Sequence, residues 1–162
     1  MKKIMIIGLF SLLTGTVGAA TFPLFNEQAL EGVKTFDASL RTLIWVPEDE
    51  LGDITLPSEE SFKQRANDDF ILGLRRDGVT VNVASMNMLF CDVNAAIAES
   101  TVVYTVTLNF YDYQFADSEP VHHLLWQDLT LVRAGINKFT PDGVAKVCQD
   151  LFAKTWLKWN HK

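Results

Sequence analysis

The chain has 162 residues, 48% of them hydrophobic, which is enough for one domain with a sizeable core. Its 14 Lys and Arg stand against 20 Asp and Glu, a net charge of −6. That balance speaks against nucleic acid and anionic membrane surfaces as partners, since both are recognised by clustered Lys and Arg.

The first twenty residues have the layout of a secretory leader. Lys2 and Lys3 form a positive start, Ile4 to Leu13 an apolar run, and Val17-Gly18-Ala19-Ala20 a small-residue cleavage site. The run falls short of the roughly 20 residues of a spanning helix. No cysteine follows the cleavage region, so lipid anchoring is not expected. We therefore expect residues 1–20 to be cleaved and 21–162 to form a single exported domain, periplasmic or secreted, with no stable membrane anchor. Losing the two lysines moves the net charge to about −8. The acidic residues are dispersed, and no Asp-x-Asp-x-Asp-Gly calcium loop is present.

Residues 21–32 read as a short arm. From Val33 to Val46, Phe36, Ala38, Leu40, Ile44 and Val46 alternate with Asp37, Ser39 and Arg41, the pattern of a half-buried strand. Leu43 and Trp45 fall on its nominally polar face. Pro47 to Pro57 is an acidic loop. Ser58 is a helix N-cap, and Glu59 and Glu60 suit the dipole of the first turn. Phe62, Ala66, Phe70 and Leu74 then form one helical stripe, which Asp77-Gly78 ends.

Val79 to Val83 is a short strand and Met88 to Ala95 another, with Leu89, Cys91 and Val93 on one face. The longest strand signal runs from Val102 to Phe115. It sends Tyr104, Val106, Leu108 and Phe110 one way, and Asn109, Tyr111 and Tyr113 the other. A turn at 116–120 leads to a returning partner strand, Val121 to Arg133. Thr140-Pro141-Asp142 starts a second helix whose apolar stripe includes Val144, Cys148, Leu151, Phe152 and Trp159. Cys91 and Cys148 are the only cysteines, and in an oxidising compartment one disulfide is expected between them. Two buried free thiols are the alternative.

These elements predict an α+β fold: a two-layer sandwich with an antiparallel or mixed sheet of about four to five strands and two helices on one face. No nucleophile elbow, zinc-protease helix, P-loop or dinucleotide fingerprint is present, so no catalytic residue, metal ligand or cofactor is assigned. His122 and His123 begin a strand and point to opposite faces, which disfavours joint metal binding.

If both helices cover one face, the other presents Leu43, Trp45, Tyr111 and Tyr113. Trp126 is a further candidate, although leucines on both faces of its strand leave its direction open. Trp45, Tyr111, Tyr113 and Trp126 are the candidate binding residues. The expected partner is another envelope protein or a second copy of the chain, bound at the open face or a strand edge. A small-ligand site for sugar or peptide is the alternative reading, and a hydrolase the least favoured.

Four stretches resemble a group of small exported bacterial proteins: Leu74 to Val81, Val103 to Val106, Leu124-Leu125-Trp126 leading to Gly135, and Phe152 to Leu157 with Asn160. The Cys91 and Cys148 pair departs from that group. The order of strand, helix and long ribbon is more loosely similar to the N-terminal domain of TolB and related envelope accessory domains, and that resemblance implies a protein–protein module. No catalytic residues come with either resemblance.

Overall fold

The computed structural model describes residues 24–25, 27–46, 59–116 and 119–160, with side chains at 24–25, 59, 113–116 and 119–120 excepted. The leader-like segment and the acidic loop with its Ser58 cap lie outside the described residues. Four long strands carry the sheet: β2 (Thr35–Trp45), β4 (Asn87–Ala98), β5 (Thr101–Ala116) and β6 (Glu119–Gly135). Two two-residue strands, β1 (Leu24–Phe25) and β3 (Thr80–Val81), extend its edges. The order across the sheet is β1-β6-β5-β4-β2-β3. β2 runs parallel to β3 and β4, and the remaining pairs are antiparallel, so the sheet is mixed.

Helices α1 (Glu59–Arg76) and α2 (Pro141–Asn160) lie on one face of this sheet. The fold is therefore α+β, as the alternation and stripes predict. α1 buries the stripe Phe62, Ala66, Phe70 and Leu74. It stops at Gly78, whose φ of 87° suits glycine, and the Val79 N–H donates to the Leu74 carbonyl at 3.0 Å, a reverse turn that satisfies the helix end. α2 begins where the Thr140 hydroxyl accepts from the Gly143 N–H at 3.2 Å. Its inward face carries Val144, Cys148, Leu151, Phe152 and Trp156.

Between helices and sheet the core is continuous. Phe36 meets Phe110 and Phe152 edge-on, both with centroids 5.5 Å apart. Cys91 on β4 and Cys148 on α2 form a disulfide between two fully buried residues, tying the last helix to a central strand.

The described part of the short arm is strapped down. Its 3-10 turn, Glu27–Leu30, packs on α2 and β6. Trp156 Nε1 donates to the Val33 carbonyl at 2.8 Å, and Asn160 Nδ2 to the Leu30 carbonyl at 2.8 Å. Asn160 Oδ1 accepts from the Gly32 N–H at 2.9 Å. The start of the domain and its last helical turn are thus one cluster.

Replacing both cysteines by serine should lower stability. The disulfide spans 57 residues, which corresponds to about 4 kcal/mol in the chain-entropy model. Urea unfolding at equilibrium checks this. A loss under about 1 kcal/mol would mean that packing alone holds α2 in place.

Candidate functional site

No described element covers the second face of the sheet, and the strand registers fix how its residues line up. Ser39 stands in one row with Phe90, Asn109 and Gln127, and Arg41 in the next with Asp92, Thr107 and Leu129. Leu43 shares a row with Asn94, Thr105 and Leu131. Trp45 ends the series beside Ala96, Val103 and Arg133.

Those last two rows carry an apolar cluster beside Asn94, Thr105 and Arg133. Leu43 is 63% exposed, Trp45 62%, Leu131 48% and Val103 41%. With Ala96 they line a shallow depression of about 230 Å³. Large apolar side chains left this open, side by side, make this end the candidate interaction surface.

A polar belt crosses the middle. Arg41 grips the Asp92 carboxylate with two N–H groups, Nε at 2.7 Å and Nη2 at 2.8 Å. Asn109 Nδ2 donates to Asp92 Oδ2 at 2.9 Å, and Gln127 Nε2 to Asn109 Oδ1 at 2.6 Å. The chain of contacts therefore links all four long strands. Beyond it lies an aromatic end, where the Arg41 guanidinium sits 4.5 Å from the Phe90 ring centroid and Phe90 lies 5.9 Å from Tyr111. Arg41, Phe90, Tyr111 and His122 line a second shallow depression of about 200 Å³.

The candidate residues thus do not form one site. Trp45 shares its row with Val103, and Tyr111 is eight residues farther along β5, on the order of 27 Å away. The side chain of Tyr113 lies outside the described residues, although its backbone pairs with His122. Trp126 is not on this face at all. It lies opposite Phe110 on the helix-covered side and is fully buried.

The reason is an inverted polarity on β6. The residues sharing Trp126's inward side are Asp128 and Thr130, both buried, while Leu129 and Leu131 point to the open face. Hydropathy alone therefore leaves the strand's direction open, which also hid Leu131. Val103 was missed because one valine opposite an alternating run carries little weight. Arg41, Phe90 and His122 had no local signal, since only register brings them together.

Asp128 is the charged group with the least comfortable setting. Burial pushes its carboxyl above the usual carboxylate range, and nearby Glu27 adds to this. The Leu129 N–H, which donates to Asp128 Oδ1 at 2.8 Å, and nearby Lys154 pull the other way without cancelling it. Trp126 Nε1 and Thr130 Oγ1, buried on the same side, have no hydrogen-bond partner among the described residues. Burial also raises the Tyr104 hydroxyl. Among the described residues, no three His, Cys, Asp or Glu side chains come together as a metal site, and no helix is long and apolar enough to cross a membrane.

No family model matches the chain, and no curated protein does. Several solved structures align with it over most of its length. Two crystal forms of the PelC dodecamer from Paraburkholderia phytofirmans align with it. One has a TM-score of 0.46 at 12% identity and covers 86% of this chain and 98% of that one. The other has a TM-score of 0.41 at 15% identity, with 86% and 95% covered. A further crystal structure of an uncharacterised protein aligns at a TM-score of 0.28 and 11% identity, covering 78% and 95%. Likeness at this level carries no conclusion about activity.

Asp128 gives a pH test. Its folded pKa lies above the unfolded one, so its protonated form stabilises the fold below the ordinary carboxylate range. That contribution is lost as pH rises through the folded value. Asp128→Asn keeps an oxygen for the Leu129 N–H and removes the titration. Thermal melts from acid to neutral pH should show a smaller loss of stability for the variant than for the parent. Identical slopes would mean that the carboxyl is better solvated than its burial implies.

Proposed function

We propose that the protein is a non-enzymatic interaction module of the cell envelope, and that its apolar sheet end docks another envelope protein. The supporting observation is the cluster of Leu43, Trp45, Val103 and Leu131 on a face that no described element covers. The rows beside it are tied across the strands by the hydrogen-bonded belt, so a partner meets a preformed surface and little ordering entropy is lost on docking. The leader-like first twenty residues and the buried disulfide favour an exported setting. The reading as a non-enzyme rests on the missing catalytic motifs in the sequence.

A small-ligand site is the second reading, and the depression between Arg41, Phe90, Tyr111 and His122 favours it. Its aromatic rings would stack on a flat ligand while polar groups orient it. At about 200 Å³ it is smaller than the roughly 300 Å³ at which drug-sized pockets begin, which places it behind the docking surface.

Crosslinking in the envelope of the native host, followed by identification of the captured protein, separates the two. Trp45→Ala and Leu43→Ser should each reduce capture at least tenfold while stability stays within about 0.5 kcal/mol, as for exposed positions. Unfolding of both variants would show that the patch is structural. Undiminished capture would place the contact elsewhere, and Tyr111→Ala then tests the aromatic end.

A further inference from the structure

We propose that the outer edge of β6 pairs with the same edge of a second copy, giving a two-fold dimer with one continuous sheet. This uses an edge rather than the docking face proposed above, and it stands or falls independently of that face.

The backbone pattern leads to it. The Ile136 N–H donates to the Ser100 carbonyl at 2.8 Å, so residue 136 faces β5. Antiparallel alternation then turns residues 128, 130, 132 and 134 toward β5 as well. The N–H and C=O groups of Leu129, Leu131, Arg133 and Gly135 point outward. β1 pairs only with Trp126 and Gln127, so among the described residues no strand meets the stretch beyond them.

Proteins usually blunt such an edge with lysine, proline or a bulge. Residues 129–135 contain none of these, and Arg133 is their one charge. Blunting is present at a single point, the Leu129 N–H, which Asp128 already occupies. The other edge of the sheet has a similar stop, where Asn67 Oδ1 accepts the Leu40 N–H at 2.8 Å. A head-to-tail pairing of β6 with another copy's β2 would meet stops on both strands.

Pairing β6 with itself avoids this in one register. Centred on Val132, it sets Leu131 of one copy opposite Arg133 of the other, and Leu129 opposite Gly135. Every outward group then finds a partner except the pair of groups that the Leu129 cap withholds at each end. The Arg133 stem lies along Leu131, covering part of a side chain that is 48% exposed in the monomer. A shift that centres on Arg133 puts like charges directly opposite, which is destabilising. A shift that centres on Leu131 directs Gly135 at Gln127, which already pairs with β1. The arrangement is isologous, so it closes at two copies.

Sedimentation equilibrium of the exported, disulfide-bonded chain tests this. The parent should show twice the monomer mass at high micromolar concentration. Arg133→Pro removes an outward N–H and no bond to β5, so it should halve the mass while the far-UV spectrum stays unchanged. Val132→Cys should form an intermolecular disulfide, because the facing Cα atoms of such a pair lie about 4.5 Å apart. If Arg133→Pro fails to fold, the crosslink of the Val132→Cys variant decides alone. A monomeric parent without that crosslink overturns the proposal. So does a dimer that survives Arg133→Pro and fails to crosslink, or one abolished by Trp45→Ala instead.

Discussion

The parallel pairing of β2 with β4 governs this architecture. Two parallel neighbours cannot be joined by a tight turn, so the chain must cross over the sheet between them. α1 lies in that crossover, and its stripe from Phe62 to Leu74 turns one face of the sheet into core. α2 then joins the same layer, with Cys148 reaching Cys91 in the strand beside β2. With both helices on one side, the opposite face carries whatever the alternate residues happen to be.

That face is organised along the strands rather than across them. Four strands contribute to each row, and the character changes every two or three rows. Aromatic rings with Arg41 stand at one end, a belt of paired polar groups in the middle, and bare aliphatic side chains with Trp45 at the other. The Arg41–Asp92 pair adds little stability by itself, because Arg41 is half exposed and water competes for both partners. Its effect is positional. By engaging Asp92 and, through it, Asn109 and Gln127, it keeps the middle of the face ordered and separates two surfaces of different chemistry.

Most of the fold was legible in the sequence because period-two alternation is strong on β2, β4 and β5 and the two helical stripes are unbroken. The disulfide followed from two cysteines that both sit on apolar faces. What remained hidden had three physical causes. The direction of Trp126 was masked by inward Asp128 and Thr130 and outward Leu129 and Leu131. The gap of about 27 Å between Trp45 and Tyr111 depends on the parallel register of β2 with β4, which no local pattern encodes. The strapped arm depends on Trp156 and Asn160, more than 120 residues away. Trp45 was found because a tryptophan on a polar face violates its own strand's pattern, and such violations survive any register.

The clasp between residues 27–33 and the end of α2 couples distant parts of the chain. α2 supplies the second half of the disulfide, the core residues Val144 to Trp156, and the anchors for the first ordered turn. Three separate parts of the fold thus depend on one helix. Without α2, Cys91 has no partner, the helix layer is half empty and residues 27–33 lose their hydrogen bonds to Trp156 and Asn160. Loosening α2 would therefore release the first ordered turn and half of the helix layer together, so these parts of the fold open as one cooperative unit.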